Sequence, residues 1–199
     1  IYSMFEKQIK YQMSLSISIL ELLAEKEYQE INSDLIVKNL KIKNNYSYVW
    51  MADDKIDLLK VYFEQSNDQI LSEAFIDFQD DHSASINEKL TDIILRFFEF
   101  HEKYKSSIIK LHKLNFSDPK LIKLFVYCMH DLSKKSLKIS GGDTNSIRDS
   151  IILMGLISVY TLIFEKWIYL RETDMSYMMK IADKYINNAE EFASNLKII

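Results

Sequence analysis

Glycine and proline are almost absent from this chain, and their scarcity restricts its fold more than any other feature. Only three glycines and one proline occur among 199 residues. Sheet-rich folds place these residues in their many tight turns, and doubly wound folds need glycine-rich loops. Apolar residues recur instead at helical spacing along the chain. The sequence therefore predicts an all-α protein of about nine helices.

Residues that cap or break helices divide the chain into these nine elements. Ser33, Ser85 and the Thr173–Asp174 pair are N-cap residues, and Asp53 or Asp54 can serve a further start. Ser117 or Asp118 followed by Pro119 marks another start, and Gly141–Gly142 marks a C-terminus. The predicted helices cover residues 2–26, 33–40, 44–51, 53–78, 86–104, 105–114, 119–137, 145–170 and 174–196.

Two short helices separated by a tight turn are predicted within residues 28–63. The first places Ile36, Val37 and Leu40 at helical spacing after Ser33. A polar break over residues 41–44 follows, and the second helix begins with polar residues. This order is the helix-turn-helix pattern of DNA-binding proteins. It predicts sequence-specific DNA binding.

The same stretch resembles the TetR family of one-component transcriptional repressors over roughly residues 10–65. Residues 19–31 resemble its first helix and the aromatic corner that follows. A second group of residues resembles the family's run of aromatics, which is followed by a lysine and paired leucines. These residues are Tyr48, Trp50, Met51, Lys55, Leu58 and Leu59. Met51 stands where the family has an aromatic, and Lys41 where it has glycine. The resemblance implies a helix-turn-helix domain over residues 1–52 and a helical ligand-binding and dimerisation domain over residues 53–199.

The resemblance also implies which residues would contact operator DNA. Polar residues at the start of the second short helix would meet base edges and the nearest phosphates, and lysine and tyrosine would contact the backbone. Residues 35–52 contain three lysines and no acid, which gives a basic patch beside this helix. The alternative is a fold of this type that does not bind DNA. The predicted contacts are Lys43, Asn44, Asn45, Tyr46, Tyr48 and Lys55.

Aromatic side chains of the C-terminal part are candidates for a cavity that takes a small apolar or amphipathic ligand. TetR-like proteins use such a cavity to sense a ligand, whose binding spoils the spacing of the two DNA-binding domains. The alternative is that these side chains are simply the core of a helix bundle. The predicted lining is Phe97, Phe100, Tyr127, His130, Met154, Tyr160 and Trp167.

The last two helices predict how two copies would associate. Residues 145–170 are apolar on all faces in the middle of their helix, so that helix must be covered on all sides. Residues 174–196 carry one apolar stripe. The resemblance implies a homodimer whose interface is a four-helix bundle formed by these two helices of each copy.

Other chemistry finds little support in the sequence. The four histidines lack zinc-type spacing, and no phosphate-binding glycine loop or nucleophile motif occurs, so neither catalysis, a metal nor a cofactor is predicted. Cys128 is the single cysteine and is expected to be a buried, inert thiol. The longest apolar run, residues 151–164, is shorter than a bilayer span, so we expect a cytoplasmic protein without a membrane span.

A second resemblance leaves the function open. Some TetR-like proteins of ubiquinone biosynthesis bind lipid or isoprenoid and no longer bind DNA. This chain is similar to them in its long apolar helix after the turn from Ser140 to Asp143, and in its terminal helix after Asp174. Their tryptophan-rich motif is absent, since Lys134, Lys135 and Leu137 stand there. Lipid binding is therefore the alternative to operator binding.

Overall fold

A computed structural model describes residues 2–40, 55–80, 83–115, 117–142 and 147–195. Within these ranges the chain forms eight α-helices, one short 3₁₀ helix over Tyr28–Glu30 and no strand, which confirms the all-α prediction. The ninth predicted helix, over residues 44–51, lies outside the described residues. The helices α1 to α8 are Tyr2–Glu25, Ser33–Asn39, Lys55–Asp80, Ile86–Glu102, Lys105–Asn115, Pro119–Ile139, Ile147–Tyr169 and Met175–Asn195.

Short-range capping bonds fix the starts of several helices. At α4 the Ser85 hydroxyl accepts from the Glu88 backbone, and the Glu88 carboxylate accepts from the Ser85 backbone. Asp174 caps α8 by accepting from the backbone of Ser176 at 2.9 Å. At α2 the cap is Asn32 rather than the predicted Ser33, since the Asn32 side chain accepts from the backbone of Leu35. Asn32 has the extended backbone that a cap requires, and Ser33 is already helical.

The glycine pair ends α6 as the sequence predicts. Gly141 has φ +98°, a left-handed conformation that glycine adopts without steric cost. The Gly142 amide donates to the Leu137 carbonyl at 2.9 Å, and the Gly141 amide donates to the Lys138 carbonyl at 3.2 Å. Two otherwise unpaired carbonyls at the helix end are satisfied in this way.

The chain divides by compactness into two units. Unit 1 comprises Ile1–Ser66 and Tyr104–Val126, and unit 2 comprises Asn67–Lys103 and Tyr127–Ile199. Helices α3 and α6 therefore each contribute residues to both units. The predicted domain boundary between residues 52 and 53 lies outside the described residues and stays a prediction.

Unit 1 buries one face of α1 against α2, α3 and α5. The fully buried apolar side chains of α1 are Leu15, Ile19, Leu20 and Leu23. Aromatic residues extend this core along α3: Tyr62 stacks edge-on against Tyr104 at 5.8 Å, and Phe63 lies 5.5 Å from Phe125. Burial of such a face stabilises the unit by about 25 cal/mol for each Å² removed from water.

Unit 2 is built on α4, which packs against α8, while α8 packs against α7. The apolar face of α4 buries Phe97 and Phe98, and Phe98 lies 5.4 Å from the ring of Trp167 on α7. The Thr91 hydroxyl donates to Asp183 on α8 at 2.9 Å. Aromatic packing and a cross-helix hydrogen bond thus hold these three helices together.

Helix α7 is apolar over most of its length and is only partly buried. Only 28% of the stretch Asp149–Tyr169 is buried, and its mean hydropathy is 1.7. The described residues of this chain therefore do not cover the helix on all sides. The apolar helix is also longer than the predicted run, because Trp167 to Tyr169 continue it, so it could cross a membrane by length and composition alone. The core helices of soluble proteins can have the same length and composition.

Candidate DNA-binding frame and ligand cavity

Two buried serines of α1 tie the N-terminal helices together. The Ser16 hydroxyl donates to the carbonyl of Leu58 on α3, and the Ser18 hydroxyl donates to the carbonyl of Ile36 on α2 at 3.0 Å. Both serines are fully buried. Small hydroxyl side chains let the helices approach closely while the buried oxygens stay paired. Helix α1 thereby fixes the two helices that flank residues 41–54.

Lys55, a predicted DNA contact, begins α3 and reaches back to the corner after α1. Its Nζ donates to the backbone carbonyl of Tyr28 at 2.5 Å and lies 4.0 Å from the centroid of the Tyr28 ring. A cation over an aromatic face is stabilised by the ring quadrupole. Lys55 therefore connects the start of α3 to the aromatic corner that the sequence match predicts.

The remaining predicted DNA contacts lie outside the described residues. Their role, like that of Lys55, stays a prediction: these residues are Lys43, Asn44, Asn45, Tyr46 and Tyr48.

Helix α5 holds the C-terminal end of α1. The Ser107 hydroxyl donates to the carbonyl of Leu20. The Lys110 ammonium lies 3.5 Å from the carbonyl of Ala24 and 3.4 Å from that of Lys26. The last carbonyls of a helix have no partner within the helix, and a cation there also complements the helix dipole. These contacts join α5 to the C-terminal end of α1.

Three of the predicted ligand residues lie in the core of unit 2. Phe97 and Tyr160 meet edge-on at 6.0 Å, and the Tyr160 hydroxyl is hydrogen-bonded to Ser136 at 3.1 Å. Trp167 is fully buried, and its indole N–H donates to Glu102 at 2.6 Å. Burial raises the pKa of Tyr160, so its phenol stays neutral. The structure packs these three side chains against protein.

The other predicted ligand residues are spread over different surfaces. Phe100 is half-buried beside His101, at 5.4 Å between ring centroids. Tyr127 and His130 are exposed on α6, and Met154 is exposed on α7. Of the seven predicted residues, Met154 alone lines the cavity described below.

His101 is a buried titratable residue that the sequence did not single out. Its side chain is 1% exposed, and its ring lies 4.4 Å from that of Phe97. Burial lowers the pKa of His101 to about 3, so the imidazole is neutral at physiological pH. The only signal in the sequence is its place on the apolar face of α4, four residues after Phe97.

Unit 2 contains an apolar cavity of about 540 Å³ between the start of α4, the end of α6, the first half of α7 and the last half of α8. Its volume lies within the range of small-molecule sites. Its lining is formed by helix faces distant in sequence, which periodicity alone does not combine. The lining residues include Leu90, Leu137, Ile152, Met154, Gly155, Leu156, Val159, Ile186, Ala189, Phe192 and Ala193, with Asn87, Ser158 and Glu190 as the polar groups.

The described residues contain no group of three or more His, Cys, Asp or Glu side chains that could hold a metal ion. The single cysteine, Cys128, is buried and forms no disulfide.

Comparison with known proteins identifies the type of fold. No protein-family model and no curated protein matches the sequence. A crystal structure of a TetR transcriptional regulator from Rhodococcus sp. RHA1 superposes with a TM-score of 0.58. The match covers 90% of this chain and 94% of that chain at 12% sequence identity. At this identity the similarity establishes the fold alone, and the fold is TetR-like.

Proposed function

We propose that this protein is a TetR-like transcriptional repressor that binds operator DNA through its N-terminal helix-turn-helix. A small apolar ligand in the C-terminal domain would release the operator. The observation that carries this proposal is the TetR-like fold over 90% of the chain. It agrees with the helix-turn-helix pattern that the sequence contains at the corresponding end of the chain.

The helices around residues 41–54 support operator binding. Ser16 fixes α3 to α1, Ser18 fixes α2 to α1, and Lys55 ties the beginning of α3 to Tyr28. A recognition element needs rigid neighbours, because base contacts depend on its register and orientation against the phosphate backbone. These bonds hold the helices α2 and α3, which precede and follow the predicted recognition helix in the sequence.

The uncovered apolar residues of the last two helices support a homodimer. Leu162 and Tyr169 on α7 are 46% and 80% exposed, and Tyr177 on α8 is 43% exposed. Large exposed apolar surfaces mark association sites. A two-fold dimer would also present two recognition helices to half-sites about one DNA turn apart, roughly 34–36 Å.

Ligand release requires that the ligand prefer the form of the dimer whose recognition helices do not match the operator. The apolar cavity of unit 2 is the candidate ligand site.

Lipid binding without DNA binding is the second candidate, and the charge of the N-terminal helices favours it. Described residues 6–40 contain six acids against four lysines, an acidic surplus that repels phosphate. The acids are Glu6, Glu21, Glu25, Glu27, Glu30 and Asp34, and the lysines are Lys7, Lys10, Lys26 and Lys38. Selective DNA binding separates the two candidates.

The experiment selects fragments of the source genome that bind the purified wild-type protein. It then measures how tightly a Lys43→Ala/Tyr46→Ala variant binds the same fragments. The matched control is Lys123→Ala/Tyr127→Ala, which removes the same residue types from exposed positions on α6. We expect selective binding by the wild type and the control and its loss in the first variant. No selective binding even at low salt would contradict the repressor and favour lipid, to be identified by mass spectrometry of the purified protein.

A further inference from the structure

The two units of the chain carry opposite formal charges. Unit 1 contains thirteen lysines and eleven acidic residues, whereas unit 2 contains twelve basic and eighteen acidic residues. Within unit 1, residues 1–66 contain eight lysines and ten acids, and residues 104–126 contain five lysines and one aspartate. The positive charge of unit 1 is therefore supplied by α5 and the beginning of α6, and not by the N-terminal helices.

Three of these five lysines present their charge to solvent. Lys105 is buried at 8% exposure, and the Lys110 ammonium lies at the C-terminal end of α1. The other three are Lys113 in the last turn of α5, Lys120 in the first turn of α6, and Lys123 one turn later, and all three are exposed. The exposed positive charge of unit 1 is thus concentrated around the corner between α5 and α6.

Helix α5 runs beside α1 in the same direction, which determines where this corner lies. The Ser107 hydroxyl donates to the Leu20 carbonyl, and Lys110, one turn later, reaches the Ala24 carbonyl, one turn further along α1. Lys113 follows after a further turn. It therefore lies at the end of unit 1 where α1 ends.

The same end of unit 1 contains the beginnings of α2 and α3. The 3₁₀ helix that starts at Tyr28 follows α1 directly, and α2 begins after its cap, Asn32. Lys55, the first residue of α3, donates to the Tyr28 carbonyl. The corner between α5 and α6 thus lies at the end of unit 1 where α2 and α3, the neighbours in sequence of the predicted recognition helix, begin.

We propose that Lys113 and Lys120 contact backbone phosphates of duplex DNA when unit 1 binds it. The inference rests on the proposed function for its partner, DNA, and adds contacts from outside the helix-turn-helix. An ammonium group binds a phosphate as a point charge, and such contacts add affinity without reading sequence. The two lysines offset the acidic surplus of residues 1–66, which by itself repels phosphate. Asp118, the one acid of this segment, caps α6 by accepting from the Lys120 backbone at 2.9 Å.

The test measures how the affinity of the full chain for a short duplex of random sequence depends on salt. Fluorescence anisotropy gives the affinity at each salt concentration. Each phosphate contact contributes about 0.9 to the slope of log K against log salt concentration, so Lys113→Ala/Lys120→Ala should make the slope shallower by about 1.8. An unchanged slope in this variant, or no binding of the duplex by wild type at low salt, would overturn the inference.

The matched control removes the same charge from the same helix in the other unit. Lys134→Ala/Lys138→Ala changes two exposed lysines of α6 that belong to unit 2. We expect this variant to keep the wild-type slope. Equal reductions in the two variants would show that the net charge of the protein, and not a contact at the corner, sets the slope, and would overturn the inference.

Two further measurements separate a phosphate contact from a structural role. Lys113→Arg/Lys120→Arg keeps both positive charges, so it should retain the wild-type slope, whereas a slope as shallow as that of the alanine variant would overturn the inference. The single variants Lys113→Ala and Lys120→Ala should each make the slope shallower by about 0.9 and keep the wild-type circular dichroism spectrum.

An anionic lipid surface presents the same phosphate chemistry as DNA. Co-sedimentation with phosphatidylglycerol vesicles measures this alternative, and we expect the alanine variant and wild type to bind the vesicles equally. Vesicle binding that the alanine variant loses, together with an unchanged DNA slope, would overturn the inference and assign the corner to a lipid surface.

Failure of this inference is distinguishable from failure of the repressor, because the slope is measured on DNA of random sequence. A protein that selects operator fragments, with the same slope in wild type and in Lys113→Ala/Lys120→Ala, retains the proposed function and refutes the phosphate contacts. A protein that binds the random duplex through these two lysines but selects no fragment retains the contacts and refutes the repressor.

Discussion

The ammonium group of Lys55 lies 4.0 Å from the centroid of the Tyr28 ring and donates a hydrogen bond to the Tyr28 carbonyl oxygen. The two residues are 27 positions apart in the sequence, on either side of the predicted helix-turn-helix. Because Tyr28 follows α1 and Lys55 begins α3, their contact joins the corner after α1 to the start of α3. The contact thus has a structural role that is independent of any contact with DNA.

Replacing Lys55 with methionine should destabilise the protein. Lys55→Met keeps an unbranched side chain but removes the cation and the hydrogen bond to Tyr28, at a cost of about 1–2 kcal/mol in the free energy of unfolding. Urea denaturation monitored by circular dichroism measures this change. Lys134→Met, at an exposed position of α6, serves as the control and should stay within about 0.5 kcal/mol of wild type. Equal losses in both variants would show that the Tyr28 contact contributes nothing specific.

Burial of His101 should make the protein less stable in acid. Its pKa is lowered to about 3 in the folded protein, against 6.5 for an unperturbed histidine. Between these values the unfolded chain binds a proton that the folded protein does not. Stability should therefore fall as the pH falls from about 6.5 towards 3, by up to about 1.4 kcal/mol per pH unit from this residue.

Substitution separates this effect from titration of other groups. His101→Phe fills a similar volume without a titratable ring and should reduce the slope of unfolding free energy against pH between about pH 4 and 6. His130→Gln, at an exposed site on α6, should leave the slope unchanged. An unchanged slope of unfolding free energy against pH in His101→Phe would contradict this role of His101.

Two glycine-to-alanine substitutions should have opposite effects on stability. Gly141 has φ +98°, so Gly141→Ala should cost about 1–2 kcal/mol. Gly155 lies within helix α7 with open space around it, so Gly155→Ala should stabilise the protein by about 0.5–1 kcal/mol. Thermal unfolding of the two variants beside wild type checks both signs. Stabilisation by Gly141→Ala would contradict the role of Gly141 at the end of α6.

Charges introduced into the uncovered face of α7 should separate the proposed dimer. Leu162→Glu/Tyr169→Glu places two carboxylates where apolar surface would be buried between copies, and a desolvated unpaired charge is costly. Sedimentation equilibrium should give the mass of two chains for wild type and of one chain for the variant. Val126→Glu, which is 64% exposed on α6, is the control and should remain dimeric. A monomeric wild type would refute the dimer.

Local signals made the helices predictable. The capping box of Ser85 and Glu88, the Asp118–Pro119 start and the Gly141 stop each depend on residues within one or two helical turns. The capping error at α2 was a shift of one residue, because Asn32 and Ser33 are both good capping residues and only the backbone conformation distinguishes them.

The cavity of unit 2 was much less predictable. Phe97, Tyr160 and Trp167 are aromatic residues at helical spacing, and that pattern is the same whether a side chain faces a cavity or a packed neighbour. The actual lining combines α4 near Leu90 with α8 near Ile186, about a hundred residues apart in sequence. Whether the faces of α4 and α8 separate and leave a cavity depends on the packing angles of the helices.

Operator binding across a salt series tests the central claim most directly. Fluorescence anisotropy of a selected fragment and of its scrambled sequence, with wild type and Lys43→Ala, measures the affinity at each salt concentration. For a repressor, log K falls linearly with log salt concentration, by about 0.9 for each phosphate contact, and Lys43→Ala makes the slope shallower by about that amount. The selected fragment also binds more tightly than the scrambled one at every salt concentration. Equal binding of the two sequences, with a slope that Lys43→Ala leaves unchanged, would contradict a sequence-specific regulator.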